Sequence, residues 1–170
     1  MGYRTDTKVP GYHVIDASFI KTPFCEEPVN KSTKMESQHY GLMIACDGYA
    51  MKKGLLELWS MIVNENVTVI TSFNESFDRN GSWFEVYKYF PEDSESKFDI
   101  GNTYSLKTVN KKKTTGTITR MISVCDYKTG AELHKVKHIH FKVWDDFDVP
   151  SNENTGELMT CLQEQVTMLM

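Results

Sequence analysis

The chain has 170 residues, 40% of them hydrophobic, a length that suits one domain with a substantial core. Its 23 acidic and 19 basic side chains leave a formal charge of −4, which argues against a general nucleic-acid binder, because such a surface needs a basic stripe to displace counterions from phosphates. Arginine occurs only at Arg4, Arg79 and Arg120, so any bidentate grip on a phosphate has to use one of these.

The four cysteines, Cys25, Cys46, Cys125 and Cys161, form no C-x-x-C pair, which excludes a zinc knuckle and a thioredoxin motif. No apolar run approaches the about 18 residues of a membrane span, and no secretory leader is evident. The four N-x-[ST] sequons at Asn30, Asn66, Asn74 and Asn80 are therefore read as chance matches, and the thiols as reduced and intracellular. Met1-Gly2 begins a myristoylation pattern, but Asp6 stands where the acceptor pattern needs Ser or Thr.

In chain order, residues 1–12 mix Thr, Lys, Pro and Gly and predict a loose N-terminal segment, with another loop over 22–37. Between and after them, 13–20 and 39–46 are strand-like. Leu55, Leu58, Trp59 and Ile62 recur at helical spacing, predicting an amphipathic helix that Asn66 closes. The β-branched run 67–71 follows as a buried strand. Further on, 83–90, 103–109, 117–126 and 133–143 are strand-length runs, with Lys111-Lys112-Lys113 at a hairpin tip and another turn at 126–130. An antiparallel meander accounts for them. A polar loop over 145–156 leads to a helix over 157–170, in which Leu158, Leu162, Val166 and Leu169 share a stripe.

His138 and His140 share one side of a strand near His134, but a third ligand at clear spacing is missing, so a packed or exposed strand face is the favoured reading and no metal site or cofactor is expected. Cys46 and Cys125 lie among apolar strand residues and are expected in the core.

Residues Lys137-His138-Ile139-His140-Phe141-Lys142-Val143-Trp144-Asp145-Asp146-Phe147-Asp148-Val149-Pro150 resemble the segment of protein tyrosine phosphatases that runs from a strand through the mobile W-P-D loop to G-V-P. Trp144, Asp146, Val149 and Pro150 stand in register with it. Four further blocks follow the family's order: 15–20 resembles I-N-A-S-[FY]-[IV], 43–49 with 56–62 its I-A-T-Q-G-P turn and [ED]-[FL]-W-x-M-[IV] helix, 67–71 the next strand, and 87–91 its Y-W-P stretch. The short hairpins and Val124-Cys125-Asp126-Tyr127-Lys128-Thr129-Gly130 most resemble the phosphatases of bracoviruses, viruses carried by parasitoid wasps.

The resemblance implies an α/β fold with a mixed, twisted sheet and flanking helices. It further implies hydrolysis of phosphotyrosine through a cysteinyl-phosphate, with an H-C-x5-R loop holding the phosphate and the W-P-D aspartate protonating the leaving group. Here, the residue six positions after each cysteine is Lys31, Lys52, Ala131 or Thr167, so no C-x5-R spacing exists. In the family that loop follows the helix after the W-P-D segment, so the chain is expected to be a single domain, 1–170, truncated before it.

Asp146 holds the position of the general acid, but Asp145 replaces the preceding Pro and Asp148 the following Gly. Three close carboxylates raise one another's pKa, and loss of Pro and Gly frees the backbone. Asp47 and Tyr49 replace Gln and Pro of the Q-G-P turn, and residues 1–12 contain no K-N-R-Y segment. The expected function is a catalytically inactive viral binding or decoy factor, cytoplasmic in the host cell, modulating immune-cell phosphotyrosine signalling. Its expected partner is a host protein, phosphotyrosine-bearing proteins being one class, with no nucleic acid and no membrane. The alternatives are an active phosphatase with missing elements supplied in trans, or a non-functional gene remnant. With the signature strand missing, 67–71 and 136–143 are expected to flank a gap in the sheet, to be closed by strands shifting together, by self-association or by capture of a partner's strand.

Overall fold

The computed structural model describes residues 11, 17–21, 42–46, 54–73, 77–78, 86–91, 97–142, 155–156, 158–160 and 162–163. Strands β1 (Ala17–Lys21) and β2 (Leu42–Cys46) pair antiparallel, Phe19 opposite Ile44. The two-residue strands β4 (Phe77–Asp78) and β5 (Val86–Tyr87) pair parallel. Among the described residues the main sheet has five strands in the order β3-β9-β8-β7-β6: β3 (Val69–Phe73), β6 (Phe98–Ile100), β7 (Tyr104–Lys113), β8 (Thr117–Asp126) and β9 (Glu132–Phe141). From β6 to β9 it is the expected antiparallel meander; β3 joins β9 in parallel, making the sheet mixed.

Helix α1 (Leu55–Asn64) buries Leu55, Trp59 and Ile62, the i, i+4, i+7 stripe seen in the sequence. Its end is a Schellman motif, in which the Val67 amide donates to the Ile62 carbonyl at 2.9 Å and the Asn66 amide to Val63 at 3.2 Å. Asn66 takes the left-handed conformation this requires, φ 52°. Val67 then packs on the cluster that contains Ile62, so one motif stops the helix and turns the chain towards β3.

The core lies between α1 and one face of the sheet. Leu106 and Val124 face each other across β7 and β8, Ile122 and Val136 across β8 and β9, and all four are fully buried against Trp59, Ile62, Tyr89 and Phe90. The other face carries a smaller cluster, Ile139 and Phe141 with Val69 and Leu158.

Four sequence expectations need correction. Lys111-Lys112-Lys113 is not a hairpin tip: β7 runs on through it, paired with Ile118, Thr119 and Arg120, and the turn falls at Thr114–Thr117. The Thr114 side chain fixes that turn, because its Oγ1 accepts from the Thr117 amide at 3.0 Å and bonds the Thr117 hydroxyl at 2.6 Å. Strand β3 is half-buried, its Phe73 exposed. Of the strand expected over 83–90, Val86–Tyr87 forms β5 and residues 88–90 leave the ladder, because the Tyr89 carbonyl accepts the Trp59 indole N–H at 2.8 Å and Pro91 has no amide to offer; residues 83–85 lie outside the described residues. No gap separates 67–71 from 136–143: Val69 to Phe73 pair residue for residue with Lys137 to Phe141, and the Lys137 amide reaches the Thr68 carbonyl at 2.9 Å. Strand β6 was not foreseen, since three residues with a central Asp carry little alternation.

Residues 155, 156, 158–160, 162 and 163 are helical, in agreement with a C-terminal helix. Leu158 packs on the Ile139 and Phe141 cluster, but Leu162 is exposed; Val166 and Leu169 lie outside the described residues. No helix among the described residues is long and apolar enough to cross a membrane.

Candidate functional site

Parallel β3 and β9 run the same way, and in open α/β sheets ligands gather beyond the carboxyl ends of such strands. Trp144, Asp145, Asp146, Asp148 and Pro150 follow the end of β9 in sequence and lie outside the described residues, as do Asp47 and Tyr49 of the earlier turn. The strands leading towards that region are described, and they carry a buried polar cluster absent from the sequence expectations as a unit.

At its centre is His138, fully buried on β9. Its Nε2 meets the Tyr89 hydroxyl at 2.7 Å and lies 3.2 Å from Ser72 Oγ on β3. His140, one step along the same face, has its ring centroid 6.3 Å away. Arg120, opposite His138 on β8, is buried with its guanidinium 4.6 Å above the Phe90 ring. Lys88 is buried beside the same ring, its ammonium 6.0 Å from the centroid. Phe90 in turn tilts against His138, 4.6 Å between centroids, and Tyr89 meets both Phe90 and His138 edge-on.

Burial, with the Arg120 charge and His140 alongside, holds the His138 imidazole well below the ordinary histidine range. A neutral ring is therefore the working form at neutral pH, and it engages Tyr89 through Nε2 whichever partner donates. Burial likewise pushes the Tyr89 phenol upward, so it remains protonated. Such a pair orients and supports; it does not supply a nucleophile. Sequence left a packed or an exposed strand face open at His138 and His140, and the structure buries both rings. His134 is separate, with Nε2 2.7 Å from the Val67 carbonyl, joining β9 to the end of the α1 turn. Among the described residues, no three His, Cys, Asp or Glu side chains group as metal ligands.

Cys125 is buried on β8 as expected of a core residue, 3.5 Å from Ser123 Oγ, whereas Cys46, the last residue of β2, is half-buried rather than in the core, and the residues that follow it, 47–53, lie outside the described residues. Cys25 and Cys161, with Arg4 and Arg79, lie outside the described residues. Of the three arginines, Arg120 is thus the described one, and its guanidinium is committed to an aromatic face inside the cluster. Sequence reasoning named Arg120, Tyr89 and His138 separately; their sole joint signal was that Tyr87 to Pro91 and Lys137 to Phe141 belong to blocks in family order.

A mixed sheet with β3 and β9 parallel, α1 packed on Tyr89 and a polar cluster towards the carboxyl end of β9 make this an α/β fold. The protein-tyrosine phosphatase family model matches residues 5–167, so the chain belongs to that family. No curated protein matches the chain.

Proposed function

We propose that the 170-residue chain is a catalytically inactive tyrosine-phosphatase-like protein that works by binding. The observation that carries this reading is the absence, within these residues, of any cysteine followed six positions later by arginine. Without a thiolate set in a phosphate cradle, a cysteinyl-phosphate has no place to form. The acidic replacements Asp145 and Asp148 around Asp146 support it, since crowded carboxylates and a less restricted loop are poor provision for a general acid delivered at one geometry.

The resemblance to bracovirus phosphatases supports, as part of this proposal, a setting in the cytoplasm of a parasitised insect's immune cells and a partner among host proteins of phosphotyrosine signalling. Hydrolysis of para-nitrophenyl phosphate and of a phosphotyrosine peptide by the purified chain is the test. Rates at the level of buffer are expected, unchanged by Cys46→Ser, Cys125→Ser or Cys161→Ser. Turnover that Asp146→Asn abolishes would overturn the proposal.

A further inference from the structure

The Lys111-Lys112-Lys113 run belongs to an extended strand and leads into a turn whose first two threonines have opposite fates. The Thr114 hydroxyl is engaged inside the turn, bonded to the Thr117 amide, hydroxyl and carbonyl at 3.0, 2.6 and 3.4 Å. Thr115 is exposed, and among the described residues its hydroxyl bonds to nothing. Strand β6 covers β7 only at Tyr104–Leu106, so no described strand lies along the outer edge of β7 beyond Leu106. Val109 to Thr115 are all exposed.

We infer that Thr115 is a phosphorylation site for a basophilic serine/threonine kinase, recognised through Lys112 and Lys113. Such a kinase takes its substrate as an extended segment and reads positive charge two and three residues before the acceptor with carboxylates of its own cleft. Lys113 and Lys112 stand at those two positions before Thr115. Because side chains alternate along a strand, they project to opposite sides of β7 and can meet two separate acidic pockets. In the transfer, Thr115 Oγ attacks the γ-phosphorus of ATP. The Oγ–P bond forms as the bond to the β,γ-bridging oxygen breaks; ADP leaves with that electron pair, and the hydroxyl proton passes to a kinase carboxylate.

The acceptor lies in a short turn, so docking must loosen the Thr114 amide bond to the Thr117 carbonyl, 2.9 Å, together with the Thr114 side-chain bonds. This sets Thr114 and Thr115 apart in an experiment. The folded chain is incubated with a basophilic kinase catalytic domain and ATP, and sites are mapped by mass spectrometry, with circular dichroism confirming the fold of every variant. The expected result is one principal phosphate, on Thr115, lost in Thr115→Ala and restored in Thr115→Ser. Thr114→Ala should be phosphorylated at Thr115 at least as fast as the parent. Lys112→Ala with Lys113→Ala should lower kcat/KM by about tenfold, the scale of one good charge contact. Phosphate principally on another residue, a Lys112→Ala/Lys113→Ala rate equal to the parent, or no incorporation would each overturn the assignment.

Discussion

His138 shows how a single buried side chain makes stability depend on pH. In the unfolded chain its ring binds a proton near pH 6.5, whereas in the fold, burial and Arg120 hold it neutral well below that. Between those two values the unfolded state binds more protons, so stability is highest above about pH 6.5 and is lost as the pH falls, by up to about 1.4 kcal/mol per pH unit. Urea denaturation at pH 7.5, 6.5 and 5.5 should show this loss in the parent. His138→Gln cannot titrate, so its loss over the same range should be smaller. Equal slopes in the two proteins would mean that the ring does not govern acid stability. Asp126 acts in the opposite structural setting, half-buried where β8 ends in a turn. Its carboxylate accepts the Thr129 amide at 2.7 Å, the Thr129 hydroxyl at 2.9 Å and the Lys128 amide at 3.0 Å, and the first of these does most to depress its pKa. The Asp126 bonds hold above the ordinary carboxylate range and are lost on protonation in acid, so hydrogen exchange at residues 128–130 should quicken in Asp126→Ala and leave the strands unaffected.

At the scale of elements, α1 and its ending carry the junction between sequence and sheet. Trp59 is fully buried and its indole N–H is the donor to the Tyr89 carbonyl, which no strand ladder serves. Trp59→Phe removes that donor and leaves a partial cavity, at a cost of about 2–4 kcal/mol in denaturant unfolding. A change below 0.5 kcal/mol, about the level of a surface substitution, would show that the contact is not structural. Asn66→Ala should cost about 1 kcal/mol through its left-handed backbone, while Asn66→Gly should be neutral or better. The bulges obey a similar logic. Val109 and Leu133 are the extra residues where the β7/β8 and β8/β9 registers shift, and both are exposed, although a strict alternation would have turned one side of each strand inward. The lysines that follow Val109 keep an exposed edge charged, which opposes edge-to-edge association. Replacing Lys111, Lys112 and Lys113 by Val should therefore produce concentration-dependent light scattering.

For the whole molecule, the direct β3/β9 pairing replaces the gap once expected there. Hydrogen exchange should find the amides of Ile70 and Ser72 and of residues 137–141 protected together at low concentration, and dilution should not release them. Fast exchange in one strand of the pair alone would contradict this register. What sequence alone determined here is whatever depends on neighbours along the chain: the α1 stripe, the Asn66 stop, the turn at Asp126, the meander spacing and the lack of a C-x5-R. Local periodicity and turn chemistry act within a few residues, so they are written in consecutive letters. The run of three lysines misled because charge predicts exposure, and the exposed far end of β7 satisfies exposure as well as a turn does. The tertiary structure alone decided which strand β3 would join and that Tyr89, His138, Ser72 and Arg120 would meet. Those contacts join residues 49 and 66 positions apart, and burial selects them only after the sheet has closed over α1.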